Sequence, residues 1–358
     1  MRVLLATSLR AGGPLEHSLL LARHLVAMEV EVTASCADAA VAERFAATGA
    51  TAVELPLDAT ADLRGGARLE RLARRHDVVH AQDRRCGLWT RIWPRRGGPA
   101  RVYTVHGLPD PYLPLPDNDG RRPRPRDRLA YQGLDAWLAR RSDAVVVPSR
   151  ALAALLVARL GFPAAKLEVI PNGVEIPAAP LAAGEVVGTV SLLGPVKGLD
   201  TFLVAAASVA ARFPGQRFAI VGDGPDRAAL EAAARERGLP IEFPGMRPIA
   251  DLLPTLRIFV LPSLFENCPM SLLEAMAAGV PAVASAVGGV PELAGDAALL
   301  VPPADAPALA GAIEGLLADP ARREALGARG RARGADHVGA AANARALLGV
   351  YERVTGRR

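Results

Sequence analysis

The sequence predicts an α/β protein of two doubly wound domains, each a parallel β-sheet with helices on both faces. Short β-rich runs alternate with helical patterns, and a parallel sheet needs that order because every crossover carries a helix. The alternation restarts once, after a Pro-rich stretch. The 358 residues, 51% of them apolar, also supply two cores at roughly 150 residues per domain. With only 4% aromatic residues, those cores are built from Ala, Leu and Val.

The chain opens MRVLLATSLRAGG, whose short apolar run is too brief for a secretory h-region or a membrane span and reads as a buried first strand. Further strands are expected at 30–34, 51–55, 77–81, 101–105, 144–147 and 167–170. Helices lie between most of them, for example LEHSLLLARHLVAM after Pro14, and RALAALLVARL with Ser149 as N-cap and Gly161 as stop. The connection GLPDPYLPLPDNDGRRPRPRD, 107–127, is too long for simple wiring, and is either disordered or a binding element. PNGVEIPAAPLAAG, 171–184, reads as a linker. Strands at 186–192, 218–221, 258–261, 282–285 and 298–301 follow, and a last helix from 336 has no strand behind it and needs another surface to pack on. Domains of 1–175 and 176–335 result, with 336–358 as a separate helix. In open parallel sheets ligands sit beyond the carboxyl ends of the strands, so two such domains facing each other place a site in the cleft between them.

Composition narrows the function. The 42 basic residues are 40 Arg and two Lys, Lys166 and Lys197. Residues 1–175 hold 25 basic and 19 acidic groups, net +6, against 17 and 18, net −1, for 176–358. That excess is too small and scattered for duplex nucleic acid, but suits an anionic ligand or peripheral contact with an anionic membrane. Cys36, Cys86 and Cys268 are odd in number and far apart, which argues against a disulfide framework and a zinc site and fits a reducing cytoplasm. No metal site and no bound cofactor are expected.

The most informative segment is FVLPSLFENCPMSLLEAMAAGVPAVASAVGGVPELAG, 259–295. Pro269 is expected at the first position of a helix that stops at Gly279. The amides of Met270, Ser271 and Leu272 then form a phosphate seat. Glu274 lies one turn further, among Leu272, Leu273, Ala275 and Met276, where a carboxylate needs a hydrogen-bonding partner such as a ribose diol. The alternative, that Glu274 points along the helix to solvent, stays open at this point. Gly12 and Gly13 before Pro14 form a side-chain-free loop that lets backbone approach phosphate, and Gly222 opens a GDGP turn that alone is a weak dinucleotide signal. His106 ends the strand VYTV, whereas His17, His24, His76, His80 and His337 read as structural.

Glu266 and Glu274 are eight residues apart, and ENCPMSLLEAMAAGVPAVAS followed by VGGVPE resembles the E-x(7)-E region of family 4 retaining glycosyltransferases. AGGPLEHSLLLARHL, VYTVHG, AVVVPSRA, VIPNGVEIP, GTVSLLGPVKGLDTFLVAA and FAIVGDGPDRAAL extend the resemblance, in family order, over almost the whole chain. It implies the GT-B fold, two Rossmann-like domains facing across a cleft, with the acceptor on the first and the nucleotide-sugar donor on the second. It also implies that the last helix crosses back onto the first domain.

Carried over by position, the resemblance gives Glu274 the donor ribose, Glu266 the hydroxyls of the transferred sugar and Lys197 the diphosphate. The loop Asn267, Cys268, Pro269, Met270, Ser271 and Leu272 lies near sugar and diphosphate, Gly13 near the donor phosphates and His106 beside the reacting sugar. Met246 and Arg247, in EFPGMRP, border the nucleobase. The bland reading of Lys197 is a solvated loop lysine. One departure stands out: the family usually has an arginine a few residues before the donor lysine, and GTVSLLGPV, 188–196, has none. Arg247 is a candidate substitute. The function implied is metal-independent, retaining transfer of a hexosyl group from a UDP- or GDP-sugar to a hydroxyl of a lipid, a glycan or a secondary metabolite in a bacterial cytoplasm, or at the inner membrane face. The alternatives are a nucleotide-sugar epimerase of the same fold, and a non-catalytic nucleotide-sugar-binding partner protein.

Overall fold

The chain divides into two units, Met1–Gly173 with Ala340–Arg358, and Val174–Gly339. A computed structural model describes residues 1–356 except 95–96, 110–111, 116–123 and 182–183. Much of the long connection 107–127, Arg121 and Arg122 included, therefore lies outside the described residues.

The first unit holds seven strands: β1 (Arg2–Ala6), β2 (Glu31–Cys36), β3 (Thr51–Glu54), β4 (Val78–Ala81), β5 (Ala100–Thr104), β6 (Ala144–Val147) and β7 (Leu167–Val169). Their order is β3-β2-β1-β4-β5-β6-β7, and every pair is parallel, with Val3 level with both Val32 and Val78. Val3, Leu4, Leu5 and Ala6 are fully buried because helices cover both faces of β1. The helix Gly13–Ala27 packs Leu15, Leu21, Ala22 and Leu25 onto one of those faces. The same cluster takes Ala344, Leu347, Val350 and Tyr351 from the helix Ala340–Thr355, so the end of the chain completes the core begun at its start. Tyr351 also places its hydroxyl 2.6 Å from Nδ1 of His80, both side chains being fully buried.

The second unit holds β8 (Val186–Val190), β9 (Arg217–Val221), β10 (Ile241–Glu242), β11 (Leu256–Leu261), β12 (Ala282–Ser285) and β13 (Leu299–Val301), all parallel in the order β10-β9-β8-β11-β12-β13. Strand β10 is absent from the expected set. Each sheet reverses its winding once, between β1 and β4 and between β8 and β11, which are the switch points where ligands of such sheets collect.

The stretch expected as a linker is packed. Val174 is fully buried, its amide donates to the Val338 carbonyl, and Leu181 donates to Ala278. The helix Pro320–His337 carries the second unit to Gly339 rather than 335, and a separate helix then begins at Ala340.

Candidate functional site

At the switch point of the second sheet, loops after β8 and β11 lie side by side. The Leu264 amide donates to the Val196 carbonyl at 2.8 Å. A Cβ on Gly198, whose φ is +59°, would sit 2.2 Å from the Pro262 carbonyl oxygen, so only glycine permits this approach. The approach brings Lys197 to Glu266: Nζ lies 2.7 Å from Oε1, with the side chains 26% and 11% exposed. Ser263, fully buried, donates from Oγ to the same oxygen at 2.8 Å. Two residues that the sequence assigns to separate tasks, one to diphosphate and one to sugar, thus form a single ion pair. Removing either partner of such a partly buried pair leaves the other's charge uncompensated, which favours the paired geometry.

Gly288 and Gly289 close the other side of Glu266. The Gly289 amide donates to the Glu266 carbonyl at 3.0 Å, and Gly288, at φ +50°, leaves no room for a Cβ against that carbonyl. Helix Met270–Ala277 starts one residue later than expected, with Pro269 as its N-cap. The Pro269 carbonyl accepts from Leu272 and Leu273, so the Leu272 amide is spent within the chain and Met270 and Ser271 supply the helix's first amides. Glu274 is half-buried in the second turn rather than exposed, between buried Leu273 and Ala275. Asn267 is half-buried on the same loop, while Cys268 and Met270 pack against Val174, Leu273, Ala277, Leu293 and Val338.

Gly222, at φ +137°, presses on the loop after β8, where a Cβ would stand 1.8 Å from the Ser191 carbonyl oxygen. Its amide donates to Gly245, which ties in the loop of Met246 and Arg247. Met246 is 72% exposed, and Arg247 is exposed with no ion-pair partner among the described residues. Arg227 is the cation held in place beside that turn. It bonds the Phe243 carbonyl and Glu231 and faces Asp223, so two carboxylates already balance its charge. In the stretch without an arginine, Leu192 is 65% exposed.

A second polar group lies at the switch point of the first sheet. Gly12, at φ +96°, is the N-cap of the helix that Gly13 begins, and its carbonyl accepts from Leu15 and Glu16. Asp83 accepts from the amide and hydroxyl of Ser8 and from the Cys86 amide, which caps the helix Arg84–Arg91. The His106 Nε2 lies 3.4 Å from Oε1 of Gln82, and the rings of His106 and His17 meet edge to face with centroids 5.6 Å apart. His17, which the sequence alone marks as structural, thus borders His106. His80 bonds Tyr351 and Thr104 and is a satisfied core histidine. Burial pushes His17 down to about 4 and His80, which also feels His17, to about 3. Burial, reinforced by His17 and His80, holds His106 well below its ordinary value. All three rings are neutral at pH 7, so His106 can offer hydrogen bonds there but no positive charge.

Residues 11–176 match the family model described as Glycosyltransferase Family 4, and residues 184–319 that of Glycosyl transferases group 1. The chain belongs to the family 4 glycosyltransferases. It is 32% identical over 257 residues to the 2-deoxystreptamine glucosyltransferase of Streptomyces kanamyceticus, covering 64% of this chain and 66%, just under two thirds, of that one. It is 30% identical over 301 residues to a GDP-mannose-dependent alpha-(1-6)-phosphatidylinositol monomannoside mannosyltransferase of Mycolicibacterium smegmatis, 74% of each chain. Among solved structures it resembles Anabaena HepE in complex with UDP, with a TM-score of 0.81 at 20% identity over 98% of this chain and 99% of that one. WaaG, a glycosyltransferase involved in lipopolysaccharide biosynthesis, superposes with a TM-score of 0.70 at 15% identity over 99% and 100%. The two parallel-sheet, Rossmann-like domains of this family 4 chain are those of the GT-B fold.

Proposed function

We propose that this chain is a retaining glycosyltransferase that moves a hexosyl group from a UDP- or GDP-sugar to a hydroxyl acceptor. The observation that carries the reading is the partly buried Lys197–Glu266 pair, on loops at the sheet's switch point, the one after β11 leading into helix Met270–Ala277. Glycosyl transfer needs stabilisation of a departing diphosphate and of an oxocarbenium-like sugar more than it needs a strong nucleophile. In this reading the donor separates the pair: Lys197 turns to the diphosphate with the Met270 and Ser271 amides, and Glu266 accepts from hydroxyls of the sugar. Ser263 keeps Glu266 in place during the exchange. Glu274 takes the ribose, and by the family resemblance the first unit's candidates are His106, a neutral ring, for the sugar and the Gly12–Gly13 backbone for the phosphates. Arg247, paired with no carboxylate among the described residues, supplies the charge that an arginine before Lys197 would have supplied.

The relatives' names agree with a nucleotide-sugar donor and with hydroxyl acceptors of more than one kind, and the basic front domain favours an acceptor at an anionic surface. Proton NMR of the product tests the mechanism: the anomeric configuration of the donor is expected in the product, unchanged by EDTA. An inverted product contradicts retention, and free sugar released without acceptor points to epimerisation. Lys197→Ala is expected to lower kcat by about 100-fold or more. Turnover at the wild-type rate would remove Lys197 from the mechanism.

A further inference from the structure

Two helical stretches on the first unit carry an apolar and basic surface that its core does not use. One runs through Pro125–Asp127, Arg128–Asp135 and Ala136–Arg141, the other through Arg150–Leu155 and Leu156–Leu160. They are tied together by hydrogen bonds from Gln132 to the Arg159 carbonyl, 2.9 Å, and from Arg140 to the Gly161 carbonyl, 3.4 Å. On them Leu129 is 74% exposed, Trp137 44% and Val157 39%. Gly133, between the first two, has no side chain to shield them, and the Leu129 side chain lies over it. Arg141 stacks on Trp137, its guanidinium carbon 4.7 Å from a ring centroid, which leaves the tryptophan an apolar body beside a cation.

Among the described residues of these stretches, the exposed charges are predominantly basic. Arg124, Arg126, Arg128, Arg140 and Arg159 are exposed. The carboxylates of the same stretch are less exposed: the Asp127 side chain is 19% exposed, 3.8 Å from the 75% exposed Arg126, Asp135 is 10% exposed and bonded to Arg84, and Asp143 accepts from the Arg101 amide. An ordinary solvated face mixes both signs. Exposed tryptophan and leucine on helical stretches that also carry five exposed arginines suit the headgroup level of an anionic bilayer, where aromatic rings settle and basic side chains meet lipid phosphate.

We infer that this face docks peripherally on anionic lipid and presents the first unit to a membrane-borne acceptor. The docking stands on the surface itself, and only the consequence for the acceptor rests on the glycosyltransferase reading above.

The test is co-sedimentation of the full chain with vesicles of phosphatidylcholine alone or mixed equally with phosphatidylglycerol, at low and high salt. Binding to the anionic vesicles only, weakened by salt, is expected, with quenching of tryptophan fluorescence by brominated lipid that Trp137→Phe reduces. Leu129→Ala with Trp137→Ala is expected to weaken binding at least tenfold. The exposed triple variant Arg126→Gln, Arg128→Gln, Arg140→Gln gives an independent reading should the apolar variant fold poorly, at about fivefold per arginine. Absence of wild-type binding to anionic vesicles overturns the inference. So does binding unchanged in both variants, or light scattering that shows a dimer abolished by the apolar variant, which would mean that a second copy covers the face. A nucleotide-induced thermal shift on the same samples is read separately, so failure of the docking and failure of the donor reading are distinguishable.

Discussion

His17 and His80 give the molecule an acid limit. In the unfolded chain both rings take up a proton below about pH 6.5, whereas in the fold His17 does so only near 4 and His80 near 3. The unfolded state therefore binds more protons in that window, so stability is complete above pH 6.5 and falls as pH drops toward 4. For His17 alone the difference is on the order of 3 kcal/mol. Urea midpoints are expected to fall between pH 7 and pH 4.5, and His17→Phe to flatten that slope. An equal slope in the variant would mean that His17 is not buried as a neutral ring. At the donor site, Lys197 and Glu266 were each visible in the sequence as single residues, but their contact spans 69 positions and depends on how closely Gly198 lets two loops approach. Ser263 and Gln82 carried no signal of their own, because a serine or glutamine after a strand is unremarkable until its partner is known.

The elements that could be read from the sequence were the long periodic ones. β1 and the helix Gly13–Ala27 declare themselves through apolar runs and through Pro14 at the helix start. β10 did not, since Ile241 and Glu242 form a two-residue edge strand between Pro240 and Pro244 with too little length for any pattern. β8 was expected to run to Leu192 but ends at Val190, and the Ser191 amide then bonds the Val221 carbonyl as the chain turns toward Gly222. That turn is a point of sensitivity. Gly222→Ala is expected to cost about 2 kcal/mol or more, because its Cβ would meet the Ser191 carbonyl at 1.8 Å. Gly215→Ala, at φ +87° with nothing within 4 Å, isolates the backbone cost and is expected to lose less. Equal losses in thermal unfolding would show that the close approach is absent. The last helix makes a second prediction: Tyr351→Phe strands a nitrogen of buried His80 and is expected to lower stability by about 1 to 3 kcal/mol, read as a drop of several degrees in Tm. An unchanged Tm would argue that the helix does not close the first unit's core.

For the molecule as a whole, alternation and apolar content predicted two parallel sheets, and the motifs predicted a family, both of which the structure and the comparisons show. The path of the chain was harder to read. The stretch 171–184 is rich in Pro and Ala and looks like a free connection, yet Val174 and Leu181 are fastened by backbone hydrogen bonds that composition does not encode. The central claim is that the second unit holds a nucleotide diphosphate sugar between the Lys197–Glu266 pair and Glu274. Thermal unfolding with UDP, GDP, ADP and dTDP and their common sugars, in wild type and Glu274→Ala, tests it most directly. A ligand at about 100 times its Kd adds roughly 2.7 kcal/mol, enough to raise Tm by several degrees. The account predicts a shift with UDP or GDP and its sugar that is lost in Glu274→Ala. No shift with any nucleotide, or the same shift in wild type and variant, would contradict it.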